Sequence, residues 1–229
     1  MNKRSSRKFA RKGKTGLMEI YKKLYAHFGP QRWWPGENDF EVIVGAVLTQ
    51  NTAWTNVEKA IANLKKEGKL ELNRLLALTD AKMARLIKPS GYFNIKTKRL
   101  KAVLNFLSST DSGDWRAFLK KAPLQKARQT LLSVYGIGPE TADSILLYAA
   151  NRPTFVIDAY TLRFGRRIGI LTGDAGYEEA RSYFMESIPR SAKLYNEYHA
   201  LLVMEGKHYC KPKPACVKCP TLKMCPSAV

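Results

Sequence analysis

A glycine turn between two helical patterns constrains the fold of this chain more than any other feature of its sequence. The turn is Gly136-Ile137-Gly138, and the segments on either side, residues 124–135 and 140–150, carry apolar residues at helical spacing. Glycine permits the tight turn and lets another backbone approach closely. Main-chain N–H groups of such a turn, at the start of a helix, form a site for a phosphate. We therefore predict a helical hairpin that is suited to bind an anion, with an ordinary connection between two helices as the simpler alternative.

The charge of the chain indicates which kind of anion the hairpin meets. The 229 residues include 39 Lys and Arg against 19 Asp and Glu, which gives a formal net charge of +20. A protein this basic usually binds a polyanion, and nucleic acid is the first candidate. Charge that serves only solubility is the alternative. Hydrophobic residues make up 45% of the chain, so we expect a folded protein with one large core or two smaller ones.

The N-terminal segment differs in composition from the rest of the chain. Residues 1–14 contain seven basic residues and no acid. We predict a disordered basic arm that adds non-specific affinity for DNA, with an organelle transit peptide as the alternative. The arm has no apolar core behind its charges, so a secretory signal is not expected. We expect no membrane span, because no apolar run reaches about eighteen residues.

Apolar periodicity predicts an all-α protein. Helical spacing recurs along nearly the whole chain, and no alternating strand pattern of useful length occurs. Turn residues such as Gly29-Pro30 and Pro35-Gly36 separate the segments. Residues 154–157 are β-prone but short, and we expect an extended connector there. The helices are predicted over residues 17–28, 40–50, 57–68, 72–78, 80–87, 95–107, 115–121, 124–135, 140–150, 158–168, 177–188 and 192–205.

Four cysteines close to the C-terminus indicate a metal centre. They are Cys210, Cys216, Cys219 and Cys225, spaced C-x5-C-x2-C-x5-C. Four thiols within so short a segment suit one centre better than two disulfides, because a basic nucleic-acid protein is expected in a reducing compartment. The spacing by itself leaves zinc and an iron–sulfur cluster equally open.

The hairpin, an aspartate beyond it and the cysteines together resemble the helix-hairpin-helix plus Gly/Pro/Asp signature of the endonuclease III superfamily of DNA glycosylases. The aspartate is Asp158, twenty residues after Gly138. The resemblance implies two helical domains on either side of a DNA-binding cleft. A six-helix domain would span residues 37–152, and residues 15–36 plus 153–229 would form the second domain, with the cluster loop. It also implies a monomeric protein that acts on double-stranded DNA containing a damaged base, in the cytoplasm of a prokaryote.

The resemblance also assigns the chemistry. Asp158, which suits the N-cap of the helix that follows it, would be the catalytic acid that stabilises an oxocarbenium-like sugar or orients the attacking water. Family members that also cleave the strand carry a lysine two residues after the second glycine of the hairpin, and here that position is Glu140. A carboxylate cannot form a Schiff base, so we expect a monofunctional glycosylase without AP-lyase activity.

The family also carries a [4Fe–4S] cluster in a C-terminal loop spaced C-x6-C-x2-C-x5-C. The first gap is one residue shorter in this chain. The resemblance therefore implies that the four cysteines hold a [4Fe–4S] cluster, with zinc as the alternative.

Two segments are expected to contact DNA. The hairpin would bind the backbone through main-chain amides. Gln50 lies where relatives insert a side chain into the gap left by a flipped nucleotide, and Asn51 is next to it. The hairpin residues assigned to DNA binding are Gly136, Ile137, Gly138 and Thr141. Five basic residues are either further phosphate contacts or ordinary surface charges: Lys126, Arg128, Arg163, Arg166 and Arg167.

A tryptophan pair indicates the substrate. Trp33, Trp34 and Pro35, with Trp54 further on, resemble the pocket residues of the bacterial 3-methyladenine DNA glycosylases of this family, although some of those enzymes lack the cysteines. Aromatic faces suit a flipped, cationic base. A plug between domains is the alternative reading of the tryptophans. We therefore expect excision of alkylated purines such as 3-methyladenine. The alternatives are a glycosylase for oxidised, deaminated or mismatched bases, and a non-catalytic DNA-binding relative.

Overall fold

The computed structural model describes residues 14–68, 70–110 and 114–229. Within these ranges every regular element is a helix, so the predicted all-α fold is confirmed. The basic arm predicted over residues 1–14 lies, apart from Lys14, outside the described residues. None of the described helices is both long and apolar enough to cross a membrane.

Twelve α-helices form the described part of the chain, and each overlaps one predicted helix. They are α1 (Lys14–Phe28), α2 (Asp39–Leu48), α3 (Trp54–Lys66), α4 (Leu72–Ala77), α5 (Asp80–Leu86), α6 (Phe93–Ser108), α7 (Trp115–Lys121), α8 (Leu124–Leu132), α9 (Pro139–Ser144), α10 (Ala159–Arg167), α11 (Tyr177–Ser187) and α12 (Ala192–His208). The helix predicted over residues 140–150 differs from expectation in its second half. It continues beyond α9 as a π-helix over Ile145–Ala149, and the N–H of Ala150 donates to the carbonyl of Ile145 at 3.1 Å.

Short polar side chains fix where several helices begin. Asn38 accepts a hydrogen bond from the third residue of α2, and Asp114 accepts from two N–H groups of α7. Ser191 does the same for α12. Each of these caps satisfies N–H groups that have no partner inside the helix.

Residues 34–152 form one of two compact units. The core of this unit is organised around α2, whose residues 40–48 are all buried. A helix that is apolar on every side belongs in a protein interior, and α2 packs against α3, α6, α9 and the π-helix. The acid of this buried stretch, Glu41, pairs with Lys65 of α3 at 2.8 Å. The pair compensates the burial of the carboxylate.

The other unit consists, among the described residues, of 14–33 and 153–229. Within it α12 packs against α1 and α10. The rings of Phe155 and Phe184 stack with centroids 4.4 Å apart, and the hydroxyl of Tyr198 donates to the Leu17 carbonyl at 2.7 Å. Residues 154–157 are buried and lie outside helices, as expected for a connector. They lead directly into α10.

Part of the basic charge serves the fold. The ammonium of Lys101 donates to the carbonyls of Leu76 and Leu78 at the end of α4, at 2.8 and 2.5 Å. Arg152 donates to carbonyls at the end of α7, including that of Leu119 at 2.9 Å. Cations stabilise helix C-termini because the last carbonyls have no partner inside the helix. The net charge therefore overstates the charge that is available for a polyanion.

Candidate functional site

The hairpin turn requires glycine at its first position and leaves the second position open. Gly136 has φ +80°, and a Cβ there would lie 2.2 Å from the Cγ atom of Arg99. Gly138 is extended, with φ −89°, and precedes Pro139 at the start of α9. A Cβ at Gly138 would meet no atom within 4 Å. The protein itself therefore does not demand glycine at position 138, and the backbone there is accessible to an approaching group.

A buried ion pair joins the two hairpin helices. The guanidinium of Arg128 on α8 donates to both carboxylate oxygens of Asp143 on α9, with Nη2 to Oδ2 at 2.9 Å. The two side chains are 6% and 0% exposed. Arg128 is thus neither a phosphate contact nor a surface charge, and both expectations for it were wrong. Bidentate pairing of this kind is stronger than a single hydrogen bond, so it is a strong contact between α8 and α9.

Gln50 lies against the hairpin and is held at both ends of its amide. Its Nε2 donates to the Gly136 carbonyl and to the Thr141 hydroxyl, each at 3.0 Å. Its Oε1 accepts from the guanidinium of Arg99 on α6. Three of the residues assigned to DNA contact from the sequence are therefore brought together. Arg99 was not among the assigned residues, because nothing in its local pattern distinguishes it from a surface arginine.

A buried lysine, Lys96, stabilises the loop that carries Gln50 and Asn51. The ammonium of Lys96 donates to the carbonyls of Leu48 and Ser90, each at 2.7 Å, and to the Thr52 hydroxyl at 2.9 Å. Burial, and then the charge of Arg99, lower the pKa of Lys96 to about 8. Asn51 itself is exposed and has φ +52°. Lys96 falls four residues before Leu100, on the apolar face of α6, and that spacing was a signal of its burial.

Trp34 and Trp54, both assigned to the base pocket from the sequence, lie together. Their ring centroids are 5.0 Å apart and the planes are nearly perpendicular. The ring of Tyr148 in the π-helix has its centroid 5.0 Å from that of Trp34, with the two planes tilted; Tyr148 was not among the residues assigned to the pocket. A Cβ at Gly45 of α2 would come within 3.4 Å of both indoles, so a small residue there gives the rings their space.

The other two assigned pocket residues have different surroundings. Pro35 is exposed. Trp33 belongs to the unit that contains α12, where the ammonium of Lys207 lies 5.7 Å from its ring centroid. This distance allows a cation–π interaction, so a cation of the protein already lies over this tryptophan.

Asp158 caps α10 and lies beside a buried histidine. Its Oδ1 accepts from the Thr161 N–H at 2.7 Å, and its Oδ2 lies 3.6 Å from Nε2 of His199 on α12. Burial on its own raises the pKa of this carboxyl, but His199 and the hydrogen bond from the Thr161 N–H outweigh burial and lower the pKa below its ordinary value. The carboxylate is therefore held as an anion. His199 was missed because its contact with Asp158 spans two helices that are distant in sequence.

The four cysteines line one small pocket, together with apolar side chains such as Phe164 and Leu222. Cys210 is buried at the end of α12, and Cys219 Sγ lies 3.0 Å from the buried carboxylate of Glu205. In the part of the chain that the structure describes, no group of three or more His, Cys, Asp or Glu side chains has the arrangement that would hold a metal ion.

Arginines of α10 bind the segment that carries the cysteines. Arg163 donates to the carbonyls of Gly206 and Cys210. Arg167 donates to two carbonyls of the loop, and its Nη1 lies 3.5 Å from Cys210 Sγ. Arg166 donates to the Ala175 carbonyl at 3.0 Å. These three guanidinium groups, considered above as phosphate contacts or surface charges, bind the protein's own main chain.

The sequence matches the HhH-GPD superfamily of base excision DNA repair proteins over residues 44–190. A protein of Methanocaldococcus jannaschii that is named as a DNA repair glycosylase is 44% identical over 209 residues, which cover 91% of this chain and 95% of that protein. Endonuclease III of Rickettsia conorii is 26% identical over 190 residues, which cover 82% and 84% of the two chains.

Solved structures give the same relationship. The H. pylori 3-methyladenine DNA glycosylase bound to 1,N6-ethenoadenine is 30% identical, with a TM-score of 0.73 over 83% of this chain and 97% of that one. A non-covalent endonuclease III–DNA complex is 20% identical, with a TM-score of 0.79 over 93% and 95%; this second likeness concerns the fold. Because the family match covers more than half of the chain and the Methanocaldococcus relative nearly all of it, the chain is a DNA glycosylase that belongs to the HhH-GPD superfamily of base excision DNA repair proteins.

Proposed function

We propose that this protein binds double-stranded DNA containing an alkylated purine, such as 3-methyladenine, and hydrolyses the N-glycosidic bond without cleaving the strand. The observation that carries the choice of substrate is the packing of Trp34 against both Trp54 and Tyr148. A flipped base needs aromatic faces on which to stack. The 30% identity with a 3-methyladenine DNA glycosylase supports the same choice.

Asp158 is the proposed catalytic residue. Glycosidic bond cleavage in such enzymes develops positive charge on the sugar, and an anionic carboxylate stabilises that charge or orients the attacking water. The lowered pKa of Asp158 keeps the carboxylate ionised. Its bond to Thr161 holds one oxygen in place, so the carboxylate is oriented before the substrate arrives.

The absence of strand cleavage follows from Glu140 in this proposal. Glu140 is exposed in the first turn of α9, where an acid is favoured by the helix dipole. A carboxylate offers no amine for a Schiff base. Water is therefore the proposed nucleophile, and Glu140 takes no part in the chemistry.

DNA contact is assigned to the hairpin and to the loop before α3. The open backbone at Gly138 supports close approach of a phosphate to the turn. Gln50, Asn51, Ile137 and Thr141 complete the proposed contacts, and Gln50 and Thr141 already bond to each other at 3.0 Å. Gln50 must give up its bonds to the hairpin if its side chain enters the DNA.

We further propose that Cys210, Cys216, Cys219 and Cys225 hold a [4Fe–4S] cluster. The fit rests on one observation, that all four thiols line the same largely apolar pocket. Four thiolates complete the coordination of such a cluster, one at each iron, so the bound group would order the C-terminal loop and leave no site for substrate chemistry. Arg163 and Arg167, which bind the carbonyls of this loop, hold it against α10.

We also propose domain boundaries, an oligomeric state and a cellular location for the protein. We assign the six-helix domain to residues 37–152 and the second domain to residues 15–36 and 153–229. The protein is proposed to act as a monomer on chromosomal DNA in the cytoplasm of a prokaryote.

Incubation with methylated genomic DNA tests the function directly. Free 3-methyladenine, identified by chromatography, should be released by the wild-type protein and not by Asp158→Asn. Release of oxidised or deaminated bases in its place would contradict the substrate. DNA binding without release of any base would contradict the catalytic proposal.

A further inference from the structure

Two cations of α6 lie close together beside the hairpin. Lys96 is 1% exposed and Arg99 is partly buried, and they are one helical turn apart. The charge of Arg99 contributes to the lowered pKa of Lys96, so the two groups repel each other. Neither forms an ion pair with any carboxylate of the described residues. This part of the molecule therefore holds positive charge that the described chain does not neutralise.

Arg99 is fixed in position by the hairpin and by Gln50. Its Cγ and Cδ would lie 2.2 and 2.7 Å from a Cβ at position 136, so its stem runs directly over Gly136. One end of its guanidinium donates to Gln50 Oε1. Its Nε is buried and has no hydrogen-bond partner in the described chain. The guanidinium thus has a defined place beside the turn while only part of its donor capacity is used.

Other arginines of the same unit have a carboxylate or several carbonyls as partners within the described chain. Arg128 forms a bidentate pair with Asp143, and Arg116 pairs with Asp39 at 3.1 Å. Arg152 donates to three main-chain carbonyls. Arg99, in contrast, makes one hydrogen bond with the described residues, and its partner is a neutral amide. Withdrawing a charge from water without a counter-charge is unfavourable, and an anion that arrives at this point would remove that cost.

We propose that Arg99 binds a phosphate of the DNA backbone beside the hairpin turn, with its stem packed over Gly136 and its guanidinium positioned by Gln50 before DNA binds. The inference rests on the proposed function, because it takes the anion to be DNA. Guanidinium suits this task since its planar fork matches two phosphate oxygens. Lys96, buried behind it, adds positive potential without reaching the ligand.

The salt dependence of DNA binding tests this assignment. Affinity for a duplex with a tetrahydrofuran abasic site is measured from about 50 to 200 mM KCl for wild type and Arg99→Gln. Each phosphate contact contributes about 0.9 to the slope of log K against log salt. Arg99→Gln should lose roughly that much slope. Its affinity deficit should therefore shrink about three- to fourfold over the range.

Two variants separate phosphate contact from other effects. Arg116→Gln removes the same charge from an exposed ion pair elsewhere in the same unit, and it should keep the wild-type slope. Arg99→Lys keeps the charge and should retain most of the slope even if the loss of the fork weakens the bond to Gln50. Melting temperatures on the same samples identify any loss of fold.

An unchanged slope in Arg99→Gln overturns the inference. Weaker binding with an unchanged slope would show that Arg99 serves only to position Gln50. Equal slope losses in Arg99→Gln and Arg116→Gln would show a general effect of net charge, which also overturns it. Base release by the wild-type protein is scored separately, so normal excision with an unchanged slope in Arg99→Gln rejects the role of Arg99 and leaves the proposed function standing.

Discussion

Nε2 of His199 lies 3.6 Å from Oδ2 of Asp158, across the contact between α12 and α10. The other carboxylate oxygen accepts the N–H of Thr161 at 2.7 Å. One oxygen of Asp158 thus caps a helix while the other faces a buried imidazole. Because these partners lower the pKa of the carboxyl, the group stays anionic at neutral pH. The contacts with Thr161 and His199 therefore both stabilise the fold and keep Asp158 in the anionic form that the proposed chemistry needs.

Asp158→Asn separates these two roles. Asparagine is as good an N-cap as aspartate, so unfolding free energy should change by no more than about 1 kcal/mol. The negative charge is lost, and base excision should fall by at least ~100-fold, the scale of one electrostatic transition-state contact. Single-turnover excision and urea unfolding are measured on the same samples. Asp158→Ala, which also loses the cap, should cost a further ~0.5–2 kcal/mol. Excision by Asp158→Asn at the wild-type rate would reduce Asp158 to a helix cap.

Lys96 predicts an unusual dependence of stability on alkaline pH. Its pKa is about 8 in the folded protein against an ordinary value of 10.5. Between these values the unfolded chain binds more protons than the folded one, so unfolding free energy rises with pH through this window. Lys96→Met removes the effect. The stability of wild type relative to Lys96→Met should therefore increase from about pH 8 towards pH 10.5, as followed by urea unfolding. If the free energy of unfolding of wild type, minus that of Lys96→Met, stays constant or decreases over this window, the pKa of Lys96 is not lowered.

Whether a feature of this structure could be predicted from the sequence depends on how far apart in the sequence the contacting residues lie. Every predicted helix overlaps a helix of the structure, because apolar spacing and caps act over a few residues. Lys96 was detectable in the same way, since it continues the buried face of α6 that includes Leu100. The glycine at position 136 was assigned to a tight turn, and its positive φ agrees.

Contacts between distant residues were not detectable. Arg99 meets Gln50 and Gly136, which lie far from it on either side in the sequence, and His199 meets Asp158 across two helices. An arginine in the hairpin segment is expected to be exposed, yet Arg128 is buried against Asp143. A single sequence carries no local signal for such pairs, because each partner is equally compatible with its own helix whether it is exposed or paired.

Borohydride trapping tests the absence of lyase chemistry. A Schiff base between protein and sugar would be reduced to a stable adduct. Because Glu140 offers no amine, no protein–DNA adduct should form during turnover by the wild-type protein. Glu140→Lys supplies the missing amine and serves as the positive control, in which an adduct is expected. A trapped complex with the wild-type protein would contradict the proposal, and Lys207, whose ammonium lies near Trp33, would be the first lysine to replace.

Metal analysis tests the proposed cluster. The purified protein should be yellow-brown, with broad absorbance near ~400 nm from iron–sulfur charge transfer. Replacing Cys219, whose Sγ lies 3.0 Å from Glu205 Oε1, by Ser should bleach the colour and loosen the C-terminal loop. Protein that contains stoichiometric zinc and no iron would overturn the assignment in favour of a zinc site.

The aromatic residues give the sharpest test of the substrate. If Trp34 and Trp54 stack on a cationic base, replacing either with Ala removes about 1–3 kcal/mol of stacking. Excision of 3-methyladenine should then fall by about ten- to a hundred-fold. Binding to abasic-site DNA should change little, because the hairpin is untouched. Trp54→Phe keeps an aromatic face and should retain most of the activity.

The rival reading, in which these tryptophans only fill space, predicts a different pattern. Truncation then leaves a cavity that lowers the melting temperature, and activity falls only in proportion to unfolded protein. Trp115→Ala provides the matched control, because Trp115 is 5% exposed in the core of the same unit and has no assigned contact with a base. It should lose stability while excision per folded molecule stays normal. If Trp34→Ala and Trp54→Ala behave in the same way as Trp115→Ala, the pocket assignment is wrong, and the choice of alkylated purines loses its main structural support.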